Sequence, residues 1–263
     1  MSNVVVVSHD AFGARKWLRF SNFAFAARQS VVPVLATEMA NAAMVFPLAF
    51  APRGDTFELV AVLGLAPEQN LFVAPDGRWL AGYVPSVLRS HPFQIATAPD
   101  GQKVLCVDVD SGLVVDGHSG MGERFFEENG SLSAALQSVV DFLAQRENGI
   151  AITAAACAAL QEQGLIVPWN ITIQRGDAQQ KIEGLFRIDE TILESLPDQS
   201  FVLLRKSVAL PLAYSQMLSM HHLSLLGKLG QAREQEAARS QAAHQMPLSG
   251  DIDLSILTNR KNR

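Results

Sequence analysis

Apolar residues run along this chain in short blocks whose spacing predicts its elements. Val4 to Val7 form a β-branched run suited to an edge strand. Leu35, Met39, Ala42/Ala43 and Phe46 stand at i, i+4, i+7/8 and i+11, the period of a helix, which Pro47 ends. Residues 57–65 are apolar but for Glu58 and predict a strand buried on both faces. The turn Pro75-Asp76-Gly77 joins residues 70–73 to 79–80 as a hairpin. Residues 83–92 suit two helical turns between prolines. Residues 93–96 and 103–107 pair across Ala98-Pro99-Asp100-Gly101, and residues 111–122, with four glycines, read as a loop.

A helix is expected over 131–146, capped by Ser131, with Leu132, Leu136, Val139/Val140 and Leu143 as its apolar stripe. After Gly149 the texture changes: an Ala-rich helix over 153–163 is stopped by Gly164. Residues 165–174 and 181–188 flank Arg175-Gly176-Asp177 as a hairpin. Asp189 and Asp198 cap short helices over 190–196 and 199–206. Pro211 opens a long one running to about Glu236, with Leu218, His222, Leu225/Leu226 and Leu229 as its stripe. The clustering of strands before helices predicts an α+β fold: a mixed or antiparallel sheet, a helical C-terminal part and a mobile C-terminal tail. Residues 1–149 form the strand-rich part, 150–236 the helix-rich part packed on it as one globule, and 237–263 the tail.

Composition narrows the partners. A formal net charge of −5, with 21 Lys+Arg against 26 Asp+Glu, leaves no basic face for nucleic acid. Cys106 and Cys157 lie in apolar strings, with no CxxC, and are expected as inert core thiols. The apolar stretch 30–51 holds Pro33, Glu38, Asn41 and Pro47. A charge at a bilayer centre costs about 3 kcal/mol, so the stretch is expected in a protein core, without membrane insertion. The first residues lack the basic start and apolar run of a secretory signal, which points to a cytoplasmic chain.

Catalytic motifs are sparse. Gly117-His118-Ser119-Gly120 is not the strand-turn-helix elbow of a hydrolase, and the glycines to Gly122 lack a P-loop's Lys-Ser/Thr. Asp108 and Asp110, read as i and i+2 at a strand end, put two carboxylates on one side, with Asp116, His118 and Glu123 following. Such oxygen-rich groups hold divalent metals; the plainer alternative is a solvated strand end whose aspartates satisfy loop N–H groups. His221 and His222 point about 100° apart on a helix and cannot chelate together. Arg89, His91 and Arg205 could present cations to a ligand carboxylate or phosphate. No cofactor is expected. The tail island Ile252, Leu254, Ile256 and Leu257 alternates with polar residues, as does a peptide that adds to a sheet edge, in cis or in trans.

Several apolar pieces resemble the SapC family of bacterial surface-layer-associated proteins when taken in order. They are Phe23-Ala-Phe-Ala26, Val32-Pro-Val-Leu-Ala36 with Glu38, Phe46-Pro-Leu-Ala-Phe50, and Gly82-Tyr-Val-Pro85 with Arg89 and Pro92-Phe93. Leu105-Cys-Val-Asp-Val-Asp-Ser111, Gly184-Leu-Phe-Arg-Ile-Asp189 and Leu210-Pro-Leu-Ala-Tyr-Ser-Gln216 continue the series. The resemblance spans roughly residues 20–230, and the tail's Ile-Asp-Leu-Ser-Ile-Leu is similar to the family's C-terminal signature. It departs at Val109, where an acid is common, and at Phe46, where tyrosine is. It implies an accessory role and brings no catalytic residues. The reading reached is a soluble accessory protein that recognises a protein or peptide partner, with a homo-oligomer through the tail as one form. A divalent-metal enzyme using Asp108, Asp110 and His118 is the first alternative, and a surface-layer structural or secretion component the second.

Overall fold

A computed structural model describes residues 3–118, 120–175 and 178–244. In chain order the first half holds β1 (Val4–Val6), α1 (His9–Phe12), β2 (Arg15–Trp17), β3 (Val31–Pro33), α2 (Met39–Ala43), β4 (Leu48–Arg53) and β5 (Thr56–Val62). Then come α3 (Ser86–Arg89), β6 (Phe93–Thr97), β7 (Lys103–Asp108), β8 (Val114–Asp116), β9 (Glu123–Arg124) and α4 (Ala134–Glu162). The second half adds β10 (Ile166–Pro168), β11 (Ile171–Arg175), β12 (Ala178–Ile182) and β13 (Phe186–Ile188). It closes with α5 (Glu190–Glu194), α6 (Asp198–Lys206), α7 (Ala209–Ser219) and α8 (Leu223–His244).

Every strand pair is antiparallel. A five-stranded sheet runs β10-β13-β4-β5-β3, and two three-stranded sheets run β1-β7-β6 and β8-β2-β9, with β11-β12 a separate hairpin. The fold is therefore α+β, as the clustering of strands indicates. Strands from both halves meet in one sheet, because β13 pairs with β4 through Phe186 and Phe50.

Two apolar clusters form the interior. The larger buries Phe46, Leu48 and Phe50 with Leu59 of the five-stranded sheet against Cys157 and Leu160 of α4 and Leu212 of α7. The smaller gathers Phe12, Trp17, Phe93 and Phe125 under Leu136 and Leu143 of α4. One helix serves both, its first half on the small cluster and its second half on the large one. Both cysteines are buried free thiols, and burial pushes that of Cys157 up to about 12.

Several elements differ from their sequence expectation. The two helices expected on either side of Gly149 are one 29-residue helix, capped by Ser133 rather than Ser131. Gly149 is a point of close approach: a Cβ there would lie 2.9 Å from Leu35 Cδ1 and 3.1 Å from Thr37 Oγ1. Nearby, Thr153 Oγ1 donates to Gly149 O and accepts from Ala36 N, which ties segment 35–37 to α4. The helix expected from Leu35 shrinks to the five residues of α2. Residues 111–122 are not a plain loop, since β8 pairs with β2. The long C-terminal helix is interrupted by a 3-10 turn at Met220–His222, so its apolar stripe divides: Leu226 is fully buried and Leu218 is 72% exposed. Helix α8 continues to His244, past the start expected for the tail. The island Ile252, Leu254, Ile256 and Leu257 lies outside the described residues.

Candidate functional site

Glu38 is the only charged residue in stretch 30–51, and the fold buries it to 7% exposure in the turn before α2. A carboxylate there must be saturated with donors, because an unpaired buried charge costs several kcal/mol, on the order of a lost ion pair. Oε1 accepts from Leu35 N at 3.1 Å and from Ser86 Oγ at 2.8 Å. Oε2 accepts from the Tyr83 hydroxyl at 2.6 Å and from Ser86 N at 2.8 Å. Arg89 Nη2 stands 3.8 Å from Oε2, its guanidinium lying over the rings of Phe142 and Tyr83. Burial, reinforced by the bond to Glu38, pushes the Tyr83 phenol up to about 12, so this hydroxyl remains a donor.

Ser86 passes the order outward. Its hydroxyl, donating to Glu38, accepts from Arg146 Nε at 3.1 Å. Arg146 sits midway along α4, after Leu143 and before Gly149. Burial pushes its guanidinium down from the ordinary value, and the Glu38 charge opposes that shift. Among the described residues its two Nη atoms have no hydrogen-bond or ion-pair partner. The cation is thus held at one nitrogen and left with a free outer edge.

Arg146 lines a cleft of 510 Å³ between β6 and the middle of α4. Arg146, Arg53 and Lys103 line it with the carboxylates of Asp108 and Glu147, Lys103 and Glu147 forming an ion pair at 2.9 Å. His91 is half-buried there and stacks on Phe25, centroids 3.8 Å apart. Burial holds its pKa below the usual histidine value, with Asp108 acting the other way, which favours a neutral imidazole.

Strand β6 contributes Phe93, Gln94, Ile95 and Thr97 to the lining and is the end strand of its sheet. The bonds Asp108 N to Pro92 O and Ala98 N to Gln102 O bracket its ladder with β7. In that register Gln94 and Ala96 face β7, while Ile95 and Thr97 turn their N–H and C=O groups outward. The Phe93 N–H is taken by Ser90 O at 2.7 Å. Among the described residues this strand edge has no partner, and it borders a cleft lined by Arg53, Lys103 and Arg146.

The sequence-predicted residues are distributed over the molecule. Arg89 joins the Glu38 cluster, and His91 and Asp108 line the cleft. Asp110 does not act with Asp108 as a strand pair: β7 ends at Asp108, a 3-10 turn follows, and Asp108 Oδ1 caps it by accepting from Asp110 N. His118 is exposed, bonds to Asp116 at 2.8 Å, and lines a different surface pocket with His9 and Arg15. Arg205 is exposed in the last turn of α6 and lines neither this cleft nor that pocket. Among the described residues no three His, Cys, Asp or Glu side chains come close enough to hold a metal ion.

Glu38, Tyr83, Ser86 and Arg146 were not among the residues singled out for chemistry. Their signal was position: an acid inside an apolar block, and an arginine where the stripe of α4, three residues past Leu143, calls for an apolar side chain. Among the described residues no helix is long and apolar enough to cross a membrane.

Comparison with known proteins places these features in context. The family model described as SapC matches residues 7–226, a span that holds every residue of the Glu38 cluster and the cleft beyond Val4. No curated protein and no solved structure matches the chain.

Proposed function

The chain belongs to the SapC family, and from that premise we propose that it recognises an extended segment of a protein or peptide partner, laid along β6 in the 510 Å³ cleft. The outward N–H and C=O groups of Ile95 and Thr97 at the mouth of this cleft carry the reading. Unpaired strand edges are templates for another strand, and native proteins usually blunt or cover them. Main-chain bonds to such an edge supply affinity, and pockets for alternate side chains supply selectivity. Arg146 favours an acidic or carboxyl-bearing residue at the α4 side, while Phe25 and Ile150 offer apolar contact. The Glu38–Ser86 relay fixes Arg146 before any partner arrives, which lowers the ordering cost of binding.

The test is selection of a displayed random peptide library on the full chain, with two variants as counter-targets. Thr97→Pro removes an outward N–H at an exposed edge position where proline is tolerated. Arg146→Gln removes the cation. Selected peptides are expected to alternate apolar and polar residues and to bind each variant at least tenfold more weakly, with the Thr97→Pro melting curve unchanged. A library that yields no binder, or binders indifferent to both substitutions, overturns the reading.

A further inference from the structure

Arg146, Arg53 and Ile150 also line a second cleft, between α4 and the β3–β5 edge of the five-stranded sheet. Its volume is 330 Å³, at the small end of the range for ligand pockets. Its walls are mostly apolar: Val34 and Leu35 after β3, Phe57 and Leu59 of β5, and Ile150 and Ala154 of α4. The Thr153 hydroxyl is already committed to Gly149 and Ala36, and that of Thr56 to Arg53 O. The polar groups left are Arg146, with its free Nη edge, and on the rim Arg53 with Glu58, 3.5 Å apart.

We propose that this cleft binds a small apolar carboxylate, its acid group held end-on by the two Nη atoms of Arg146 and its apolar stem against Phe57, Leu35 and Ile150. Because Ser86 occupies Nε, the guanidinium presents its flat outer edge, which matches the two oxygens of a carboxylate. Glu58 pairs with Arg53 at the rim, so among the described residues Arg146 is the cleft cation without a carboxylate in ion-pair range, and a single such cation suits a monoanion better than a phosphate dianion. The free acid of a short fatty chain and the terminal carboxyl of a peptide ending in an apolar residue share this chemistry. The site goes beyond the strand-edge reading and uses no backbone group of β6.

Calorimetric titration of the full chain with octanoate, with a short peptide ending in leucine, and with the same peptide amidated tests the proposal. Octanoate or the free-acid peptide is expected to bind, with octanol and the amidated peptide at least tenfold weaker. Octanoate binding more tightly identifies a free acid as the ligand; the peptide binding more tightly identifies a chain terminus. Arg146→Gln is expected to weaken binding at least tenfold. Ala154→Phe, at an exposed helix position that lines the cleft and makes no bond to the Glu38 cluster, is expected to do the same. Thr97→Pro is expected to leave octanoate affinity unchanged, which separates this site from the strand edge. If neither octanoate nor the free-acid peptide binds, or if binding persists in both Arg146→Gln and Ala154→Phe, the proposal is overturned.

Discussion

Glu38 shows how one residue organises its surroundings. Four donors converge on its two oxygens from Leu35, Tyr83 and Ser86, and two arginines stand within reach of its charge. Replacing it with alanine leaves those donors without an acceptor, and breaking a buried charged pair costs about 3–5 kcal/mol. Glu38→Ala is therefore expected to lower the unfolding free energy by that order in urea denaturation, and to leave Arg146 unordered. The Tyr83 phenol gives an optical probe of the same cluster. Its folded value of about 12 lies above the ordinary 10.0, so its contribution to stability is whole below about pH 10 and is lost as the pH rises through 12. The chain has two tyrosines. In Tyr214→Phe, where Tyr83 alone remains, the tyrosinate absorbance is expected to rise near pH 12; a midpoint near 10 contradicts the Glu38 bond. At this scale the chain was partly legible. A lone acid in a buried apolar block announces a saturated carboxylate, but it does not name donors that lie 45 and 48 positions away.

At the scale of elements, α4 decides the architecture. Its N-terminal half covers the small aromatic cluster and its C-terminal half the five-stranded sheet, so residues Arg146–Ile150 fall where the two meet. Thr153 fixes segment 35–37 to the helix, and with it the turn that carries Glu38. Thr153→Val keeps the shape but leaves the buried Ala36 N–H unpaired, and an orphaned buried donor costs about 1–3 kcal/mol. A loss of that size in thermal or urea unfolding is expected, with helix content unchanged. Elements of local pairing were legible: β6 with β7, β11 with β12, and the Asp189 cap of α5. What depends on distant partners was not. Strand β8 hides among glycines and is a strand only because β2, about a hundred residues earlier in the chain, offers it a ladder. Gly149 reads as a helix breaker, yet the close approach of Leu35 requires a residue without a side chain there.

Across the whole molecule, the α+β class and the SapC membership were legible from the ordered apolar pieces, whereas the clefts were not. They arise where surfaces built from residues 25–59, 91–108 and 146–154 meet, a juxtaposition that no local pattern encodes. Among the described residues, the same packing holds a half-buried arginine with a free edge beside a strand whose outer edge is unpaired. The proposed recognition of an extended partner rests on those two features together. Amide hydrogen exchange resolved to single residues, with and without a library-selected peptide, tests this most directly. Slowed exchange at the Ile95 and Thr97 amides, with the Val104 and Cys106 amides of the ladder unchanged, is the predicted result. Protection elsewhere on the surface, with Ile95 and Thr97 exchanging as freely as in the unliganded chain, contradicts it.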